Sequence, residues 1–211
     1  MADNTTLNSG TGGDVIASDD ISSVKYQRIK LIHGADGTND GDVATGNPLP
    51  VRERMVTVQT DVTRPADTTA YAVNDAISDS TSAPTSGGFT FTSAARASGG
   101  SGIVTDAIIA TSNDAGTLLQ GEIWLFDQAV TNINDNAAFA VSDTEIKTCV
   151  GVIPFTLIDA GNNGFQHVQN LNIGFTCSGS ANLRFLLRAK NAYTPASAEV
   201  FTLKLKILQV D

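Results

Sequence analysis

The sequence predicts an all-β protein. It reads as a two-sheet antiparallel sandwich, jelly-roll-like, with an extended N-terminal arm and one short helix. Three observations lead there. About eight to ten short stretches alternate apolar and polar residues, each bounded by Gly, Asn, Asp, Ser or Pro. The composition is 41% hydrophobic and 17% charged, which is globular rather than disordered. Near the C-terminus Phe201, Leu203, Leu205 and Ile207 alternate with Thr202, Lys204 and Lys206, giving one buried face and one face for water or a partner. A chain of 211 residues can bury about 70% of the surface its extended form exposes, so it can build a core without disulfides.

Residues 1–50 read as an arm and an extended strand, and residues 51–211 as the sandwich. The first 19 residues are polar and Gly-rich, which predicts a flexible lead. Residues 1–13 lack the apolar stretch of a signal peptide, and no run approaches the ~18 apolar residues of a membrane span. Residues 24–33 form a β-capable run with an unusual pattern. Val24, Tyr26 and Ile32 share a face with Arg28 and Lys30, while Ile29 and Leu31 share the other with Lys25 and Gln27. A strand lying between two surfaces accommodates that mixture; so does an edge strand guarded by lysines. Residues 34–42 place Asp36, Asp40 and Gly41 at the first, fifth and sixth positions of an EF-hand loop. Thr38 and Asn47 stand at the third and twelfth, and the flanks are β-like, so that match fails. Two Asp-Gly pairs explain the stretch as tight turns instead.

In the predicted sandwich, residues 55–62 form the first strand and 63–67 a turn. Residues 68–77, with Tyr71 and Val73, predict a second strand. Residues 79–88 are a low-complexity loop, Phe89 and Phe91 lie on one face of a short strand, and small residues around Arg96 make another loop. Residues 103–112 and 117–127 predict a hairpin about the turn Asn113-Asp114-Ala115-Gly116. Both faces near Trp124 are apolar, which marks a central strand and a packing role for that ring. Residues 128–140 are a loop rich in Asn and Asp. Ser142 and Glu145 match a capping box, which predicts a helix over 142–149 with Ile146 and Cys149 inward. Residues 152–158 make a strand in which Pro154 marks an edge or bulge. Residues 165–177 alternate with Phe165, His167, Gln169, Leu171, Ile173 and Phe175 on one parity. Leu183, Phe185, Leu187 and Ala189 follow, opposed by Arg184 and Arg188.

Little in the chain speaks of catalysis. His33 and His167 are far apart in sequence and lack recognisable ligand or general-base neighbours. Cys149 and Cys177 form no disulfide framework and read as buried free thiols. No nucleophile elbow, HExxH or phosphate-loop motif is present. No cofactor and no metal is expected. The net charge is −9, and residues 65–180 hold only two bases, Arg96 and Lys147, against 11 acids. That balance argues against nucleic acid, whose affinity rests on clustered Lys and Arg.

The string VKYQRIKLIHGADGTNDGDVATGNPLPV, preceded by GGDVIASDDI, resembles a segment of tailed-bacteriophage virion structural proteins. TRPADTTAYAVNDAI, FTFTSAARASGGSGIVTDAIIATS, GEIWLFDQAVTNINDNAAFAVSD and CVGVIPF fit the same family, so the resemblance spans about residues 12–158. It implies a non-enzymatic particle component assembled in the bacterial cytoplasm, where thiols stay reduced. It transfers no catalytic residue. Viral structural domains favour the jelly roll, an analogy at the level of fold. The expectation is a capsid decoration or cement protein. Its partners would be the major capsid protein and copies of itself, as a homotrimer, with no nucleic acid and no membrane. Tyr26, Ile29, Leu31 and Leu49 are the candidate inter-subunit contacts. The alternative is a tail, collar or fibre-associated module binding a glycan, which requires Trp124, Tyr71 and Tyr193 exposed on one rim.

Overall fold

The computed structural model describes residues 5–6, 15–16, 18–21, 24–27, 54–113 and 118–210, the first four stretches as backbone pairing only. The chain divides into two compact units, Met1–Val51 and Arg52–Asp211. In the first, β1 (Thr5–Thr6) pairs antiparallel with β2 (Val15–Ile16). There β3 (Ser18–Ile21) also pairs with β4 (Val24–Gln27), Asp19 opposite Tyr26. The lead expected to be flexible thus contains strand pairs at these positions. The predicted strand over 24–33 is a strand at Val24–Gln27, and its remainder lies outside the described residues.

The second unit carries two sheets. One has the order β11 (Ile158–Asp159), β12 (Gly164–Val168), β8 (Ser101–Thr111), β15 (Val200–Gln209), β5 (Arg54–Thr63), with β13 (Ile173–Thr176) also on β8. The other runs β10 (Cys149–Thr156), β9 (Gln120–Phe126), β14 (Leu183–Ala189), β6 (Ala76–Ile77), with β7 (Phe89–Phe91) also on β14. The chain crosses between the sheets at every step except β6–β7, the hairpin β9–β10 and the run β11–β12–β13, which each stay in one sheet. The facing orders 5-15-8-12 and 7-14-9-10 are those of a jelly roll, two Greek keys wound together.

The core lies between the sheets. Phe201, Leu203, Leu205 and Ile207 of β15 are at most 1% exposed, and they face Ile123, Leu125, Phe185 and Leu187 of the other sheet in one buried cluster. Phe185 stacks on Phe91 with centroids 4.5 Å apart and meets Phe89 at 5.3 Å. Pro154 sits on the edge strand β10, whose pairing with β9 shifts register between Cys149 and Gly151.

Four predicted elements come out differently. The strands of the expected hairpin exist, but β8 and β9 lie in different sheets. Both edges of β8 are taken, by β15 and by β12 and β13, and both edges of β9 by β10 and β14. Distant pairing of long apolar strands outweighs the nearby turn. Residues 68–77 make only a bridge at Tyr71 to Tyr193 and the two-residue β6, because Asn74 turns left-handed (φ 72°) and breaks the extension. The run 165–177 is two strands. Asn170 (φ 59°) and Asn172 (φ 50°) interrupt it, and β8 shifts register at the same level. Phe165 and His167 therefore face out, opposite Ala110 and Ile108, while Ile173 and Phe175 face the core. The predicted helix over 142–149 is one 3-10 turn, Glu145–Thr148, that leaves Ile146 exposed and Cys149 half-buried. Neither cysteine is in a disulfide. Gly151 and Pro154 follow too closely for a second turn.

Gly121 of β9 shows how tightly its two neighbouring strands in the same sheet, β10 and β14, close around it. A Cβ there would lie 2.5 Å from the Phe155 ring and 3.0 Å from the Arg188 carbonyl oxygen. Gly121→Ala should cost about 1–3 kcal/mol by chemical denaturation. Combined with Phe155→Leu it should cost less than the two single changes added together; strict additivity would contradict the contact.

Candidate functional site

Three polar clusters and one bare sheet face stand out, and they differ in what they can do. The first is buried at the turn after β5. Arg64 is 2% exposed and Asp135 5%. The Arg64 Nη2 donates to Asp135 Oδ2 at 2.9 Å, its Nε to the Tyr71 hydroxyl at 2.6 Å, and its Nη1 to the Asp67 carbonyl at 2.9 Å. Tyr71 in turn donates to Asp135 Oδ1 at 2.6 Å, which also receives the Ser78 amide at 2.8 Å. Burial opposes the charge on Arg64, but the bonds to Tyr71 and the charge of Asp135 outweigh it and hold the guanidinium protonated. Burial, then the bond to Asp135, pushes the Tyr71 phenol far above its ordinary range. Each charge and donor is satisfied inside the protein, so the cluster ties chain segments together and offers nothing to a substrate.

The second cluster adjoins it. Glu199, 1% exposed, accepts from Thr111 Oγ1, from Tyr193 at 2.7 Å and from the Ala196 amide at 3.0 Å. Burial and the Glu199 bond raise the Tyr193 phenol well above normal. The third lies on the outer face of the β14–β9 sheet. Arg188 bonds Glu122 Oε2 through Nε (2.9 Å) and Nη2, and the Trp124 indole donates to the same oxygen at 2.9 Å. The guanidinium lies 4.9 Å from the Trp124 centroid and 5.3 Å from that of Phe139. Although partial burial works against it, these donors hold Glu122 below the usual carboxylate range. Around them Val130, Ile133, Phe139 and Val141 of the long Asn/Asp-rich loop cover Phe126 and Leu186. This sheet face is closed by its own chain.

Among the described residues, nothing closes the other outer face. Along β11, β12 and β8, Ile158 stands opposite Phe165, and Phe165 opposite Ala110. Ile158 is 56% exposed and Phe165 37%. At the far end Met55 stands opposite Leu208 and is 56% exposed. Lys204 and Lys206 lie between, with His167 Nε2 3.3 Å from Asp106 Oδ1. This is a mixed apolar and charged surface of the kind that partners cover.

Sequence reasoning placed Trp124 correctly in packing and missed both buried networks. The rim that a glycan module would need is not there. Tyr71 and Tyr193 are 1% and 2% exposed and pair with each other, and Trp124 packs against Phe139 and Arg188. Their hydroxyls serve buried carboxylates, which is why both tyrosines point inward. Among the expected contact residues, Tyr26 lies in β4 opposite Asp19. Ile29, Leu31, Leu49 and His33 lie outside the described residues. Among the described residues no group of three or more His, Cys, Asp or Glu side chains could hold a metal.

The chain matches no protein-family model and no curated protein. Solved structures overlap it loosely. A chain of the Israeli acute paralysis virus full particle heated to 63 degrees shares 12% identity at TM-score 0.29, over 99% of this chain and 94% of that one. A chain of the native Kashmir bee virus virion at neutral pH gives 12% identity and TM-score 0.28 over the same shares. An infectious bursal disease virus chain gives 11% and 0.15, over 93% of this chain and 50% of that one. Overlaps this loose carry no argument.

The buried charges make a sharp test. Asp135→Ala removes the buried counter-charge of Arg64, leaving only the more exposed Asp67 carboxylate at 3.4 Å, and should cost about 3–5 kcal/mol. Replacing Arg64, Tyr71 and Asp135 together by Met, Phe and Leu should cost less than that single change. An equal or larger loss would show that the ion pair itself is the main stabiliser. A second test concerns Glu145, which accepts from Ser142 Oγ and from the Thr131 amide, both at 2.6 Å. These bonds lower its pKa from 4.5 to about 2. Its contribution is therefore complete above pH 4.5 and lost as pH falls through about 2. Because the group is exposed, the effect is local and small. The Thr131 amide resonance should titrate with a midpoint near 2 and stop doing so in Glu145→Gln.

Proposed function

We propose that this chain is a non-enzymatic structural component of a tailed-bacteriophage particle, a decoration or cement protein of the head. The observation that carries the reading is the resemblance of residues 12–158 to that family of virion proteins. The fold is compatible with it. The jelly-roll body has its own core and no assembled chemistry among the described residues, while one sheet face presents Ile158, Phe165 and Met55 uncovered. A protein built to stand against neighbours has that division between a closed interior and an open face.

In this reading the partners are the major capsid protein and copies of the same chain, arranged as a homotrimer about a threefold position. Residues 1–50 reach across neighbouring subunits. Tyr26, Ile29, Leu31 and Leu49 supply apolar contacts between chains, as arms do when they add strands to exposed edges. The particle is assembled in the host cytoplasm, in keeping with two unbridged thiols. The reading needs no nucleic acid, membrane or cofactor. The glycan-binding alternative loses its support with the burial of Tyr71 and Tyr193.

Particles assembled without this protein should release their genome at a lower temperature than complete particles, measured by dye access during heating. Unchanged heat resistance would reject the cement role. In complete particles its band on a denaturing gel should be of the same order as the major shell protein; a band scarcely visible beside it would move the protein to the tail or collar.

A further inference from the structure

The two sheets end in differently finished edges. In one, β6 is covered by residues 134–139, through the Ala76 amide to the Ala137 carbonyl (2.8 Å) and the Asn136 amide to the Ala76 carbonyl (3.0 Å). Its other edge strand, β10, carries Pro154, which cannot donate to an added strand. In the other sheet, β5 is ten residues long, and among the described residues no strand pairs with its outer edge. It has no proline, no lysine and an unbroken register with β15. The usual guards against strand addition are missing there.

That edge borders a cleft of about 580 Å³ between β5 and the loop after β7. Thr60 Oγ1 donates to the Thr90 carbonyl at 2.5 Å and closes the two sheets together at that level. From Gln59 back to Arg54 the edge lines the cleft, with Arg96 on the opposite wall. The wall is pinned. Gln209, 3% exposed, donates its amide to the Ser93 and Ala94 carbonyls at 3.0 and 3.1 Å. Arg54 and Arg96 are exposed and form no ion pair with any described residue. Arg96 is one of only two bases among residues 65–180. An otherwise acidic body thus keeps two uncommitted guanidinium groups at the mouth of one groove, beside an open strand edge.

We propose that this groove docks an extended, acidic polypeptide segment. The segment adds to β5 as a sixth main strand, and its carboxylates are taken by Arg54 and Arg96. Backbone pairing along β5 supplies the register, Val56 and Val58 offer an apolar flank, and the guanidinium groups select charge. Two arginines on a chain of net charge −9 do not make a track for nucleic acid phosphates, so the partner is a protein. The inference names a partner chemistry for the body and stands whether or not the assembly is a virion.

Purified full-length protein can be titrated into a short fluorescent peptide of alternating threonine and aspartate, followed by anisotropy. The peptide should bind. Arg54→Glu and Arg96→Glu should each weaken it roughly tenfold, with an unchanged melting temperature because both side chains are exposed. The same peptide with lysine for aspartate should not bind. Backbone N-methylation at alternate residues should weaken the acidic peptide even though its charge is intact. No binding of the acidic peptide, equal binding of the lysine peptide, or indifference to both arginine changes would overturn the proposal. Indifference to N-methylation would overturn strand addition.

Discussion

The Arg64–Asp135 pair is the constraint on which this end of the sandwich depends. Two charges taken out of water attract strongly, yet each costs several kcal/mol to desolvate, so neither tolerates burial alone. Arg64 follows the last residue of β5, Asp135 belongs to the loop over the other sheet, and Tyr71 joins them from the segment between. Once these three are engaged, the backbone around them has little freedom. The Arg64 amide reaches the Glu199 carbonyl, Tyr71 bridges to Tyr193, and Ser78 bonds Asp135. Through Glu199 the second buried carboxylate is set in place as well. The net stabilisation from such clusters is modest; what they add is a single arrangement of loops that carry few apolar side chains.

Much of the body could be read from the chain, and the failures share one cause. Period-two alternation found β15, β14, β7 and β5, because one face of each is buried and the register of side chains follows the pleat. Alternation says nothing about which strands pair. Residues 103–127 look like a hairpin, but β8 and β9 pair with other strands and lie in opposite sheets across the core. Alternation also hides a break that preserves spacing. Residues 165–177 keep parity in sequence, while two left-handed asparagines reverse which parity is inward. The buried network was invisible for a related reason. Arg64 and Asp135 are 71 positions apart, and an arginine before a proline reads as an ordinary turn residue.

The two outer faces give the body a front and a back. Over β9 and β14 the chain folds its own loop, and Trp124, Phe139 and Arg188 satisfy one another. Over β8, β12 and β15 it leaves lysines among apolar side chains, and among the described residues no loop covers them. The same contrast holds at the edges, where β6 is covered and, among the described residues, β5 is not. Asymmetry of this sort gives an assembly its polarity, since only one side of each subunit is available to be buried.

Among the described strands, the longest ladder joins β5 to β15. Arg54 lies opposite Gln209, so the first and last strands of the body run side by side and their outer ends sit together. Tension applied across those two ends therefore loads the ladder like a zipper. It parts rung by rung from Arg54–Gln209 towards Thr63–Val200, instead of being resisted by all rungs at once in shear. Cargo genetically attached at residue 54 or at residue 209 would leave the body from a single corner.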